Sequence, residues 1–157
     1  MSTYEFYLYG HLLGVFLLLA AAGLSTGAGV AMGRTNHAPT ALMLLTLTRY
    51  SELFVTSAGT ILVLVFGGLL IEEGDFSWGD PWISAAFALL VVVLVIDHGY
   101  LMPRAKKGQE MARALGDGPV SVDLVQHLTN PMTVAAGVVL DISFLVFLWL
   151  MIAKPGA

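Results

Sequence analysis

The residues able to do chemistry are few, and most of them interrupt long apolar runs. Four histidines (His11, His37, His98 and His127) stand with the carboxylates Glu52, Asp97 and Asp141, and with Arg49 near Glu52. Imidazoles in an apolar setting are ligands for haem and for transition metals. Carboxylates in such a setting are stations of proton relays. Cysteine is absent, which excludes disulfides, thiolate metal sites, iron–sulfur clusters and thiol redox chemistry. There is no G-x-S-x-G elbow, no phosphate-cradling glycine loop and no H-E-x-x-H pair, so no familiar hydrolytic constellation is written in the chain.

The elements that must position these residues follow from composition. Charged residues make up 11% and hydrophobic ones 57%, whereas a soluble domain is roughly a quarter charged. Mean hydropathy is +0.83. An ordinary cytosolic enzyme, a disordered chain and a nucleic-acid binder are excluded together. A bilayer crossing needs ~20 apolar residues, and four segments qualify, at about 5–33, 41–71, 81–115 and 124–153. Phe6 to Gly33 contains no Asp, Glu, Lys or Arg. It is far longer than the apolar core of a signal peptide and lacks a basic flank, so it is expected to persist. Backbone in lipid must satisfy its own hydrogen bonds. The expected fold is therefore an all-α membrane protein, one domain over 1–157, built as an antiparallel bundle of four transmembrane helices.

Positive residues set the expected orientation. The first connection carries Arg34 and His37, and the third carries Arg104, Lys106, Lys107 and Arg113; the second is acidic, with Glu72, Glu73, Asp75 and Asp80. Both basic loops should be cytoplasmic and both ends outside, with Lys154 as the exception. Trp78, Trp82 and Trp149 then fall at the outer interface, where amphipathic rings settle. The stretch from Arg104 to Leu115 reads as a helical continuation into the cytoplasm.

Helical spacing brings the polar residues to one interior. Arg49, Glu52, Thr56 and Thr60 align on the second helix, and His127, Asn130, Gly137 and Asp141 on the fourth, while Asp97 and His98 come from the third. The expected network pairs Arg49 with Glu52 or Asp97, and Asp141 with Thr56 or Thr60. Asp141 lies near the midplane, where a charge costs at least ~2.5 kcal/mol on the insertion scale. Helix one carries the small-xxx-small pairs Gly10/Gly14, Gly23/Gly27 and Gly29/Gly33. Such pairs let helices approach closely, and they do not share one face, so helix one should touch neighbours on more than one side.

The chemistry can now be weighed. A bis-histidine haem needs two imidazoles at one depth, yet His11 belongs to the outer third, His98 to the inner third, and His37 and His127 to the inner surface. His11, His98 and His127 remain the candidate haem or metal ligands. Glu52, Asp97, His98 and Asp141 could instead form a proton-coupled path, which would need at least a dimer to enclose a substrate. Scattered methionines read as packing residues.

The opening Tyr9-Gly10-His11-Leu12-Leu13-Gly14-Val15, the pattern around Arg49 and from Thr56 to Gly68, Asp97-His98-x-x-Leu101-x-Pro103-Arg104 and the closing Leu150-Met151-Ile152-Ala153-Lys154-Pro155 resemble a family of uncharacterised four-helix bacterial integral membrane proteins. More distantly, the early histidine followed by a long apolar run resembles copper-resistance D-type membrane proteins, although the rich histidine and methionine sets of a copper carrier are lacking. The first resemblance implies a multi-pass protein of the bacterial plasma membrane and no particular activity. The expected role is an accessory or structural component of a homo-oligomer or larger membrane complex, with lipid, a second copy or other membrane proteins as partners and no nucleic acid. The alternatives are a haem- or metal-binding redox-linked bundle and a small proton-coupled transporter.

Overall fold

The computed structural model describes residues 1–156, and its regular elements are helices. The first span is a single helix, α1 (Thr3–Met32). It opens on a capping box in which the Glu5 N–H donates to Ser2 Oγ and the Ser2 N–H donates to the Glu5 carboxylate, closing two of the free donors of a helix start. The second span joins α2 (Ala38–Tyr50), a π turn over Ser51–Thr56 and α3 (Ser57–Glu73) into one rod. The third does the same with α4 (Pro81–Ile96), a π turn over Asp97–Leu101 and α5 (Met102–Ala114). The fourth comprises α6 (Val122–Leu128) and α7 (Pro131–Ala153). Among the described residues, four helices are therefore long and apolar enough to cross a membrane, and they form a four-helix bundle.

Sequence punctuation explains the ends. Proline opens α2, α4 and α7, where its missing N–H costs nothing; Pro103, inside the third rod, has no N–H to give the preceding turn, which is the π turn Asp97–Leu101. The fourth segment, expected as one helix over 124–153, is broken instead. Pro131 disfavours the helical conformation at Asn130, which is extended at φ −55°, ψ 129° and accepts the Met132 N–H on its side chain.

The first and third connections lie at the same end and are stitched together. The Val120 N–H donates to the Asn36 carbonyl at 3.0 Å, and the Ala38 N–H to the Gly118 carbonyl at 3.1 Å. We call this the basic end and the opposite one the acidic end.

Packing concentrates at the two ends. At the acidic end Ile71, Trp82, Ile83, Ala86 and Leu150 form a buried cluster joined by Phe76, Phe147 and Met151. Lys154, the cation that broke the charge pattern, places Nζ 4.2 Å from the centre of the Phe76 ring and 5.7 Å from that of Trp82, a cation–π clamp. Trp82 is 5% exposed: it is a core residue here, while Trp78 and Trp149 remain exposed as expected of interface anchors. At the basic end Ala41, Leu45, Ala112 and Leu124 form a second cluster. It lies in the helical extensions α2, α5 and α6, beyond the uninterrupted apolar run Leu53–Ile71, which at ~1.5 Å per residue matches the ~30 Å of hydrocarbon.

Between these ends the closest contact is between spans one and two. A Cβ on Gly14 would lie 2.8 Å from the Val63 nitrogen and 2.9 Å from the Gly59 carbonyl oxygen, and one on Gly10 would meet the Phe66 ring at 2.6 Å. The pair Gly10/Gly14 thus seats α1 against α3. Gly23, Gly27 and Gly29 meet nothing within 4 Å of where a Cβ would be.

Candidate functional site

The two π turns carry Glu52, Asp97 and His98. A π turn widens the helix by one residue and loosens its carbonyls, and it recurs at functional positions. In the first, the Ser57 hydroxyl donates to the Glu52 carbonyl at 3.5 Å, and the Glu52 carboxylate turns towards α1, where Ser25 Oγ donates to it at 3.0 Å. In the second, Asp97 Oδ2 lies 3.1 Å from His98 Nδ1. His98 lines one cleft with Thr56 and Ser57, which follow Glu52 by about one turn. Spans two and three therefore place Glu52, Asp97 and His98 on one level, each from a locally widened helix.

Beside them a cleft of about 200 Å³ opens between the same two spans, lined by Thr56, Ser57, Thr60, Ile61, Leu94 and His98. The Thr56 hydroxyl is buried there without a hydrogen-bond partner. Hydroxyls, an imidazole and two nearby carboxylates form a centre suited to holding and passing a proton.

Arg49 does not enter this centre. Its Nη1 donates to Gln109 Oε1 at 3.0 Å, and Gln109 Nε2 donates to Thr46 Oγ1 at 2.8 Å. The expected pairing of Arg49 with Glu52 or Asp97 is replaced because α5 lies along α2 and brings a buried amide to the guanidinium. Asp141 likewise bonds neither Thr56 nor Thr60. Thr26 Oγ1 donates to its carboxylate, at 3.1 Å from Oδ2, because α7 meets α1 rather than α3 at that depth. Both Thr26 and Asp141 are exposed on the outside of the bundle.

The histidines are separated. His11 Nδ1 lies 3.1 Å from the Val63 carbonyl, so the N–H on Nδ1 donates and Nε2 keeps its lone pair. That bonding pattern is the one that orients metal- and haem-ligating imidazoles. His127 has both nitrogens engaged: Nε2 is 3.0 Å from the Arg104 carbonyl and Nδ1 3.5 Å from Arg104 Nη2, while Arg104 Nη2 also donates to the His127 carbonyl at 2.7 Å. His98 lines the cleft by Thr56 and Thr60, whereas His11 packs by Val63 and Gly67, about 10 Å further along the span. Among the described residues no group of three or more His, Cys, Asp or Glu is placed to hold a metal ion.

Ser25, Thr26, Arg104, Gln109 and Tyr100 complete the polar contacts, and of these Gln109 and Tyr100 had not been singled out from sequence. Tyr100 hydroxyl and Thr133 Oγ1 are 3.4 Å apart, one rung above the Arg104–His127 contact. Gly108 and Ala112 flank Gln109 and mark the packing face of α5, a small-residue signal that could have identified it.

Residues 9–155 match the model of a family described as "Predicted integral membrane protein (DUF2269)". No curated protein and no solved structure matches the chain. The resemblance to copper-resistance D-type proteins gains no support from these comparisons.

Proposed function

We propose that this chain, which belongs to the integral membrane family DUF2269, works by association, as an accessory or structural component of a homo-oligomer or larger complex in the bacterial plasma membrane. The observation that carries this reading is the outward-facing pair of Thr26 and Asp141. One hydroxyl satisfies one of several acceptor sites on a carboxylate, and the remainder would face hydrocarbon in a lone monomer. Gly23 and Gly27 flank Thr26 with open space, which admits a neighbouring helix. In this reading the basic end is cytoplasmic and both ends of the chain lie outside.

The test is the mass of the protein in lipid nanodiscs. A defined oligomer is expected, and Gly27→Leu, at a position where an added Cβ meets nothing within 4 Å, should dissolve it without lowering the unfolding midpoint. A monomer at every protein concentration overturns the reading.

A second reading, a small proton-coupled transporter, is favoured by the two π turns that present Glu52, Asp97 and His98 beside a cleft. A pH-driven flux in proteoliposomes that Glu52→Gln and Asp97→Asn each abolish would support it. Absence of flux from the parent protein would retire it.

A further inference from the structure

A second cleft, of about 240 Å³, lies between α2 and α5 and is lined by Thr46, Arg49, Tyr50, Leu53, Gln109 and Arg113. It holds two guanidinium groups from two different helices and no carboxylate. Among the described residues the ion pair present is Asp97–His98, so neither arginine has an acidic partner within 4.0 Å. Glu110 neighbours Gln109 in sequence, is exposed and lines no part of the cleft.

Arg49 is held in place before any ligand arrives. Gln109 is 4% exposed and fixes one edge of the guanidinium through the chain Thr46–Gln109–Arg49, leaving the other N–H donors available. Arginine's planar fork suits phosphate oxygens. The position is equally informative. Leu53 begins the apolar run of span two, and Tyr50, Leu53 and Phe54 are exposed beside it, with the Tyr50 and Phe54 rings stacked at 5°. The cleft therefore has a cationic floor at the level where hydrocarbon ends and an apolar wall running into the hydrocarbon.

We infer that this cleft binds the phosphate of an anionic phospholipid, with Arg49 and Arg113 gripping the headgroup and an acyl chain lying along Leu53 and Phe54. Basic pockets between membrane helices are suited to such headgroups. The inference is independent of the association reading, since the cleft is complete within one chain.

Native mass spectrometry of the detergent-solubilised full chain tests it, with phosphatidylglycerol, phosphatidylcholine of the same acyl chains, and inorganic phosphate as probes. Phosphatidylglycerol adducts should form, and phosphatidylcholine and free phosphate should not compete. Arg113→Gln removes an exposed side chain outside the folding contacts and should weaken the adduct about fivefold, the equivalent of ~1 kcal/mol per basic residue. Arg49→Gln should do the same, and the pair together more. Lys107→Gln, an equal charge loss outside the cleft, should leave binding unchanged. Equal loss with Lys107→Gln, equal binding of phosphatidylcholine, or displacement by inorganic phosphate would each overturn the proposal.

Discussion

Whether a polar side chain inside a membrane finds a partner turns on single atoms. The Val63 carbonyl can receive His11 because the residue one turn on is Gly67, where a Cβ would lie 3.1 Å from His11 Nδ1. Gly14 acts on the backbone itself. Gly14→Val must push α1 away from α3, because the first added carbon already falls within 3.0 Å of backbone atoms. The expected cost is about 1–3 kcal/mol, as for overpacked cores, read as a lower unfolding midpoint in detergent; Gly29→Ala, which meets nothing, should leave that midpoint in place. At this scale the sequence was legible in residue type and opaque in partner. The types at Arg49, Glu52, Asp97 and Asp141 announced a polar interior. Which hydroxyl or amide each one reaches depends on helix rotations of a few tens of degrees, so Gln109 displaced Glu52 as the partner of Arg49, and Thr26 displaced Thr56 as that of Asp141.

Elements carry the next level of information, and hydropathy reads them unevenly. Apolar runs located all four spans, while the break that Pro131 imposes on the fourth was missed. The π turns were not read, because a one-residue insertion shifts the helical phase only once and the apolar runs around it are too uniform to show the shift; Pro103, which has no N–H to give the turn before it, was the one trace of the second. Their contribution can be isolated. A π turn is a one-residue insertion into an α-helix, so deleting exposed Phe54 from the first one should restore α register while keeping the span intact. Helicity by circular dichroism should be unchanged, and the infrared band that Glu52→Gln identifies as the Glu52 carboxyl should shift as Ser25 loses its reach. Asn130 is the counterpart in the fourth span. Asn130→Ala removes the cap on Met132 and is expected to cost about 1 kcal/mol, measured by unfolding in mixed micelles.

For the whole molecule the arrangement is two helical hairpins fastened at their ends and thinly packed between. Charge distribution gives the expected orientation, the structure shows that the first and third connections share an end, and labelling tests the sidedness. The absence of cysteine makes that experiment clean. Asp75→Cys should react with a membrane-impermeant maleimide on intact cells, and Asp117→Cys only after lysis; the reverse pattern would invert the protein in the membrane. The stitch between Asn36 and Val120 and between Ala38 and Gly118 has one more implication. Recognition between the two hairpins is written into backbone bonds at the basic end and a buried cluster at the acidic end, while the 72–80 loop that links them covalently is largely exposed. Covalent continuity should then be dispensable: two half-chains, made separately from a gene cut within that loop, would reassemble in the membrane and co-purify as one complex.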